Sequence, residues 1–133
     1  MRIALVTDYY LPTLGGVQTA VKSLREALTG AGLEVTVFCP LAQGSDDRSI
    51  VALPTSRVFR PDGYPFTWSP RDAVAVLRRE FAERRIDVVH THSEMFAALA
   101  GVRAARDLGI PVVHTMHNRV DVGIAAVTPL HRP

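Results

Sequence analysis

The stretch IALVTDYYLPTLGGVQ, residues 3–18, decides the fold of this chain. Its first five residues are apolar or β-branched and predict a buried strand. The turn that follows ends in the pair Gly15-Gly16, and a helix is predicted from Val17 onward. The unpaired first-turn N–H groups of that helix and the positive end of its dipole face the turn. We therefore expect the turn to bind a phosphate or a carboxylate, with the glycines taking positive φ so that the backbone comes close to the ligand; a tight turn without a ligand is the alternative.

The rest of the chain alternates predicted strands and helices. The first helix stops at Gly30, a second begins with Ser69 as its N-cap, and a third spans residues 94–108. Strands are expected at residues 3–7, 34–38, 50–59, 87–91 and 112–115. The third strand is the weakest of them, since Pro54 interrupts it. This alternation is typical of a parallel sheet with helices on both faces, so we predict an α/β fold with a Rossmann-like three-layer parallel sheet.

Length and composition are those of one globular domain. The 133 residues, 47% of them hydrophobic, can bury a substantial core. No apolar run is long enough to cross a membrane, and the first strand lacks the length and the flanks of a signal peptide, so we expect a cytoplasmic location. The single cysteine, Cys39, cannot form an internal disulfide, and at the end of an apolar strand it is expected to be a buried, inert thiol.

The charge of the chain is mild, with a formal net value of +2. Nucleic-acid binding needs a concentrated basic stripe interleaved with aromatic residues; the sequence lacks one, so no nucleic-acid partner is predicted. The second helix carries Arg71, Arg78 and Arg85 at intervals of seven residues. These arginines indicate either a peripheral contact with anionic lipid head groups or an ordinary solvated helix face, and the sequence leaves both open.

Candidate functional residues gather where the predicted strands end. The carboxyl ends of parallel strands lie at one edge of the sheet, and ligands of open α/β sheets bind in the crevice there. The residues that end or follow the first, fourth and fifth strands are Asp8, Tyr9, Gly15, Gly16, His90, His92, Glu94, His114 and His117. Since three separate turns supply them, we predict the functional site at this edge.

The histidines and Glu94 have structural as well as functional interpretations. His90 and His114 lie within strands, where a hydrogen-bonded core histidine is the default, whereas His117 stands just past its strand and can reach a ligand. Glu94 can serve as a cap for the third helix. Because His90 and His92 point to the same face of an extended segment, zinc is an alternative. The sequence has no H-E-x-x-H arrangement, and our prediction is a site without metal.

Four segments of the sequence together resemble a known family. They are DYYLP at residues 8–12, GGVQ at 15–18, VVHTH at 88–92 and PVVHTMH at 111–117, in the family's order and across nearly the whole chain. On these segments the chain is similar to the amino-terminal domain of retaining glycosyltransferases of the GT-B fold, family 4 type. It looks most similar to the branch of phosphatidylinositol mannosyltransferases and diacylglycerol glucosyltransferases, which are enzymes of glycolipid biosynthesis.

The resemblance implies a two-domain enzyme that moves a sugar, with retention, from a nucleotide-sugar donor such as a UDP- or GDP-sugar to a lipid or small polyol acceptor. It implies that residues 1–133 are a single, truncated Rossmann-like domain on the acceptor side, without the carboxyl-terminal domain that holds most of the donor. We therefore expect this chain alone to be inactive, its own C-terminal domain to be a partner, and the reaction to need no cofactor besides the donor.

The resemblance also implies roles for individual residues. Gly15 and Gly16 bring backbone N–H groups to the donor phosphates. His117 is the catalytic residue beside the transferred sugar, where it helps to stabilise the charge that develops in the reaction. The residues expected to bind the acceptor are Tyr9, Gln18, Arg60, Tyr64, His92 and Asn118.

Two other classes of function remain open at this point. One is a non-catalytic module that binds a carbohydrate or another small molecule. The other is a metallohydrolase that uses the histidine pairs. Binding of a polyol head group without turnover identifies the first class, and a bound metal with activity lost to a chelator identifies the second.

Overall fold

The computed structural model describes residues 1–10, 15–41, 46–58, 60, 63 and 65–117. All the strands and helices expected from the sequence are present in this part of the chain. In chain order they are β1 (Arg2–Thr7), α1 (Gly16–Gly30), β2 (Glu34–Pro40), β3 (Ile50–Leu53), α2 (Pro70–Glu83), β4 (Val88–His92), α3 (Phe96–Leu108) and β5 (Val112–Thr115). The predicted alternation of strands and helices is therefore confirmed.

The five strands form one parallel sheet in the order β3-β2-β1-β4-β5. The chain starts at the central strand, moves outward through β2 to β3, and then crosses to β4 on the other side of β1. This change of direction is the topological switch point of an open sheet. In the register of the sheet Thr7 lies beside His92, and His92 lies beside Thr115. The strands β1, β4 and β5 therefore end level with each other, as the predicted Rossmann-like α/β fold requires.

The sheet is the middle layer of three, because both of its faces are covered by helices. Successive residues of β1 point to opposite faces, so Ile3 and Leu5 pack with α1 while Ala4 and Val6 pack with α2 and α3. The buried core on the α1 face consists of Ile3, Leu5, Tyr10, Val21, Val35, Val37 and Cys39. The larger core on the other face includes Phe38, Leu53, Leu77, Phe81, Val89, Ala100 and Ala104.

The start of α2 and the end of α3 follow the sequence signals. Pro70 opens α2, and the Ser69 side chain accepts the backbone N–H of Asp72 at 3.4 Å, as expected of an N-cap. Gly109 ends α3 with φ of 69°, a left-handed conformation that costs least at glycine. No helix in the described part of the chain has both the length and the apolar character needed to cross a membrane.

Three predicted boundaries are wrong. The strand β3 ends at Leu53 and does not continue to residue 59, since Pro54 has no N–H to donate to the sheet. The helix α3 begins at Phe96 rather than at residue 94, because Met95 has the extended conformation of an N-cap, with φ of -102° and ψ of -164°. The helix α2 ends at Glu83, so Arg85 with φ of 53° lies beyond it and does not extend the row of arginines.

Gly101 of α3 lets the helix lie close to the sheet beneath the candidate site. A Cβ atom there would lie 3.1 Å from Val6 Cγ1 and 3.2 Å from Thr91 Cγ2. We expect Gly101→Val to lower the free energy of unfolding by about 3 kcal/mol, because the valine overfills a packed core. Gly30→Ala is the matched control, since a Cβ there meets nothing within 4 Å; it should change stability by less than about 0.5 kcal/mol. Urea denaturation measures both, and equal stability of the two variants would contradict this packing.

Candidate functional site

The carboxylate of Asp8 fixes the start of α3 from across the sheet. It accepts the backbone N–H of Ala97 at 2.7 Å and those of Met95 and Ala98 at 3.2 and 3.4 Å. It also accepts the hydroxyl of Ser93 at 2.7 Å. The first turn of α3 is therefore capped by a carboxylate that comes from the end of β1, about 90 residues earlier in the chain.

Asp8 is only 1% exposed, and its titration reflects that position. Burial raises the pKa of Asp8 above its usual value, while the hydrogen bonds from Ser93 and from the N–H groups of α3 act in the opposite direction. The hydroxyl of Ser93 also accepts the N–H of Asp8 at 3.1 Å, so the two turns are joined in both directions. Ser93 was not among the predicted site residues, although a serine between a strand and a helix is a typical capping signal.

Glu94, the residue expected as a possible cap of α3, has a different neighbour. Its carboxylate oxygen Oε1 lies 3.9 Å from His114 Nε2, and His114 Nδ1 lies 2.9 Å from the Thr91 hydroxyl. The two residues thus stand on the face of the sheet that α2 and α3 cover, where Thr91 also points. The capping role belongs to Asp8.

Three imidazole rings stack at the ends of β4 and β5. The ring centroids of His90 and His92 are 4.2 Å apart, and those of His92 and His117 are 5.2 Å apart, with 29° between the planes in each pair. His92 Nδ1 lies 2.9 Å from His117 Nε2, a hydrogen bond. At the other end of the stack, His90 Nε2 lies 2.7 Å from the Thr115 hydroxyl. The prediction that His90 and His92 share a face is confirmed, and their contact with His117 completes the cluster.

Two rings of this histidine stack, those of His90 and His92, have lowered pKa values. Burial, followed by the neighbouring imidazoles of His90, His117 and His114, lowers the pKa of His92 to about 3. Burial and the rings of His114 and His117 also lower the pKa of His90. Both rings are therefore neutral near pH 7, and each carries one N–H donor and one acceptor nitrogen.

The sequence leaves metal binding by these histidines open as an alternative. Among residues 1–10, 15–41, 46–58, 60, 63 and 65–117, no group of three or more histidine, cysteine, aspartate or glutamate side chains is arranged to hold a metal ion. The hydrogen bond between His92 and His117 instead uses a nitrogen of each ring. The described residues thus offer no ligand set that fits zinc.

The glycine pair leaves room at the start of α1, but neither glycine has the positive φ that was predicted. Gly15 has φ of 176°, an extended conformation open to any residue, and Gly16 already belongs to the helix, so the prediction of positive φ is wrong. What the pair provides is space. A Cβ on Gly15 would lie 2.5 Å from Gln18 Oε1, while a Cβ on Gly16 would meet none of the described residues within 4 Å. Among the described residues no side chain caps α1, and the first turn carries no acidic residue that would compete with an anion at the helix start.

The remaining predicted site residues are distributed as follows. Tyr9 is half-buried just past β1, and Gln18 is buried in the first turn of α1 beside Gly15. Arg60 is exposed, in the segment between β3 and α2. Tyr64 and Asn118 lie outside the described residues. Cys39 is fully buried, and burial raises the pKa of its thiol to about 12, which confirms the prediction of an inert cysteine.

The sheet order and the layers define the class of this protein, a Rossmann-like domain of the GT-B type. The fold matches a crystal structure of MurG from Acinetobacter baumannii with a TM-score of 0.61 at 15% identity, over 96% of this chain and 39% of that one. It also matches the UDP-GlcNAc 2-epimerase of Methanocaldococcus jannaschii, with a TM-score of 0.61 at 12% identity over 86% of this chain and 31% of that one. At such identities the likeness concerns the fold alone.

The sequence places the chain within a family of that class. Residues 14–132 match Glycosyltransferase Family 4, and the chain belongs to this family. The resemblance drawn from the four sequence segments is thereby confirmed. The relatives that the chain matches include two proteins named alpha-monoglucosyldiacylglycerol synthase. The one from Streptococcus pneumoniae is 29% identical over 91% of this chain, and the one from Acholeplasma laidlawii is 33% identical over 88%.

A relative named for a different activity is the GDP-mannose-dependent alpha-mannosyltransferase of Corynebacterium glutamicum, 31% identical over 85% of this chain. In all three cases the matched region is a minor part of the relative. It covers 27% of the Streptococcus pneumoniae protein, 30% of the Acholeplasma laidlawii protein and 28% of the Corynebacterium glutamicum protein. The chain thus spans less than a third of the length of these relatives.

Removal of the Asp8 carboxylate tests its role in holding the two turns together. We expect Asp8→Ala to lower the free energy of unfolding by about 2 kcal/mol at pH 7, because the first turn of α3 and Ser93 lose their buried acceptor. Asp46→Ala removes an exposed aspartate and should change stability by less than about 0.5 kcal/mol. Urea unfolding followed by circular dichroism measures both variants. A loss no larger in Asp8→Ala than in Asp46→Ala would show that the cap is dispensable.

Proposed function

We propose that this chain is the acceptor-side domain of a retaining glycosyltransferase that moves a sugar from a nucleotide-sugar donor to a lipid or small polyol acceptor. One observation carries the proposal. The open start of α1 at Gly15 and Gly16 and the half-buried His117 both follow strands that end at the same edge of the sheet. Transfer of a sugar from a phosphate needs an anion site for the phosphate and a polar side chain near the sugar, both in one crevice.

The chemistry of the reaction explains why the anion site and the polar ring are needed together. When the bond between the sugar and the diphosphate breaks, positive charge grows on the sugar and negative charge grows on the leaving phosphate. The first-turn N–H groups of α1 and the positive end of its dipole stabilise the phosphate charge. Because a Cβ at Gly16 would meet no described residue within 4 Å, the backbone there has room beside it for a bound diphosphate.

His117 is the residue we assign to the sugar. Its ring ends the histidine stack and is half-buried, so one side is held by His92 while another remains open to a ligand. In this role it donates or accepts a hydrogen bond at the transferred sugar as charge develops. The scheme uses no metal and no cofactor besides the donor.

The acceptor is assigned to the same edge. Tyr9 follows β1 directly, and Gln18 folds over Gly15 in the first turn of α1, so both flank the proposed phosphate site. Arg60 is an exposed cation suited to an anionic head group, and Tyr64 and Asn118 complete the proposed acceptor set. The names of relatives support a lipid or polyol acceptor, since they include an alpha-monoglucosyldiacylglycerol synthase and D-inositol 3-phosphate glycosyltransferases.

The proposal concerns the whole protein, in which a C-terminal domain closes the cleft and binds most of the nucleotide sugar. The direct test is an assay of the full-length protein with UDP-glucose or GDP-mannose, diacylglycerol vesicles or inositol phosphate as acceptors, and EDTA present or absent. Transfer or donor hydrolysis that persists in EDTA supports the proposal. Binding of a polyol without any turnover favours a binding module, and hydrolysis abolished by EDTA favours a metallohydrolase.

The proposed role of His117 predicts a specific kinetic effect. In the full-length enzyme, His117→Ala should lower kcat about 100-fold, because a hydrogen bond to the reacting sugar is lost. The dissociation constant of the donor should change less than about threefold, since the phosphates are held elsewhere. His114→Gln is the control, as His114 lies against Thr91 and Glu94 and not in the stack. Turnover in His117→Ala equal to that of the control would rule out the assigned role.

We further propose that the enzyme contacts the membrane through the groove between α2 and α3. This groove has a volume of about 630 Å³ and is lined by Arg71, Arg78 and Arg103, with Asp107 as the one acidic residue in its lining. Both Arg78 and Arg103 approach that aspartate, at 3.6 and 3.7 Å. Apolar side chains stand beside the cations: Leu99, in the lining, is 57% exposed, and Trp68, which packs on Phe96, is 56% exposed. Basic and apolar groups together suit an anionic bilayer surface.

Vesicle binding tests this surface. Arg71→Gln should weaken binding to vesicles that contain phosphatidylglycerol about fivefold, since one basic residue near a charged surface contributes about 1 kcal/mol. Arg85→Gln removes the same charge at the opposite end of the strands, where Arg85 lies near Arg2 and Glu34, and should change binding less than about twofold. Co-sedimentation measures both variants. Equal loss in both, or tight binding to pure phosphatidylcholine, would speak against this groove.

A further inference from the structure

We propose that His92 is a positioning residue, which fixes the ring and the tautomer of His117 so that His117 Nδ1 carries its proton and donates to the sugar. The part of this inference that concerns the sugar rests on the proposed function. The part that concerns the tautomer rests on the burial and the geometry of the histidine stack. It gives His92 a role other than the direct acceptor contact expected from the family resemblance.

Burial argues for this change of role. The His92 side chain is 2% exposed, and its ring lies between those of His90 and His117. An acceptor at the edge of the sheet meets His117 first. His92 can therefore influence a ligand through the hydrogen bond from its Nδ1 to His117 Nε2, at 2.9 Å, more readily than by touching it.

Counting protons determines the direction of that hydrogen bond. Burial and the neighbouring rings keep His92 neutral near pH 7, so it has a single N–H group. Its Nε2 is buried and has no hydrogen-bond partner among the residues that the structure describes. A proton on Nε2 would be a buried donor without an acceptor, which proteins rarely tolerate. The proton is therefore on Nδ1, and His92 donates to His117 Nε2.

This direction decides which nitrogen of His117 is protonated. Since His117 Nε2 accepts a hydrogen bond, it holds a lone pair, and the proton of the neutral ring is on Nδ1. His117 then offers an N–H donor to a sugar hydroxyl without a full positive charge. The neutrality of the ring is important because positive charge develops on the sugar. An imidazolium beside that sugar would oppose the reaction electrostatically.

The rest of the stack supports the same orientation. His90 packs on the far side of His92, and its Nε2 is held by the Thr115 hydroxyl at 2.7 Å. The strand β5 that carries Thr115 leads directly into His117. The ring of His92 thus contacts the rings of His90 and His117, and turning it away would break its packing against His90.

The tautomer can be measured directly by NMR. The full-length protein is labelled with 15N at histidine only, and two-bond 1H–15N correlation spectra report which ring nitrogen of each histidine is protonated. The signals of His117 are identified by their loss in His117→Ala. In the unsubstituted protein at pH 7.5 we expect His117 to be neutral and protonated at Nδ1. Protonation at Nε2 would overturn the proposal.

Substitutions of His92 provide the second test of the proposal. His92→Leu removes the donor, so the Nδ1-protonated form of His117 should lose its preference, and kcat should fall about tenfold with KM within about twofold. His92→Asn places an amide nitrogen where Nδ1 stood and should preserve both the tautomer and most of the activity. His92→Gln places its amide nitrogen near the position of Nε2 and should behave like His92→Leu; it also serves if the leucine variant does not fold. His114→Gln, a histidine outside the stack, should leave the His117 spectrum unchanged.

The outcomes separate this inference from the proposed function. A His117 spectrum that is the same in His92→Asn and His92→Gln would overturn the positioning role, whatever the activity. A tautomer that changes as expected while the full-length protein turns over no nucleotide sugar would contradict the proposed function, but not the hydrogen bond. A changed tautomer with unchanged kcat would overturn the claim that the tautomer serves catalysis.

Discussion

The hydrogen bonds between the Asp8 carboxylate and the first turn of α3 are the constraint on which the candidate site depends. They tie the end of β1 to the turn after β4, and so fix where the central strand, the helix and the histidine strand meet. A buried carboxylate is costly alone, but here the helix start supplies donors and a favourable dipole. The glycine turn on one side and the histidine stack on the other are both built on this junction.

Much of the fold was predictable because local patterns and global topology agree. Apolar runs marked the strands, and Ser69-Pro70 and Gly109 marked helix ends through side-chain and backbone chemistry that acts within a few residues. The start of α3 was placed too early because its cap comes from Asp8, far away in sequence, so no rule about neighbouring residues could find it. Glu94 looked like the cap for the same reason.

The residues that belong to the candidate site were easier to predict from the sequence than their arrangement in space. The period of a strand places His90 and His92 on one face, but the bond from His92 to His117 depends on the register of β4 against β5, which the sequence does not display. Positive φ at Gly15 was inferred from residue type, while the structure uses the missing Cβ to make room for the side chain of Gln18. Here steric space, rather than backbone freedom, explains the glycine.

The pairing of β1 with β4 has a consequence for how the site is made. The first strand must remain beside β2 while the chain passes through β3 and α2, and it pairs with β4 only after a separation of about 85 residues. Contacts between residues so far apart in sequence form late and slow the folding of a domain. The histidine stack requires that closure as well as the docking of β5. We therefore expect it to be among the last parts of the domain to form, so that a properly formed stack marks a chain that has completed its folding.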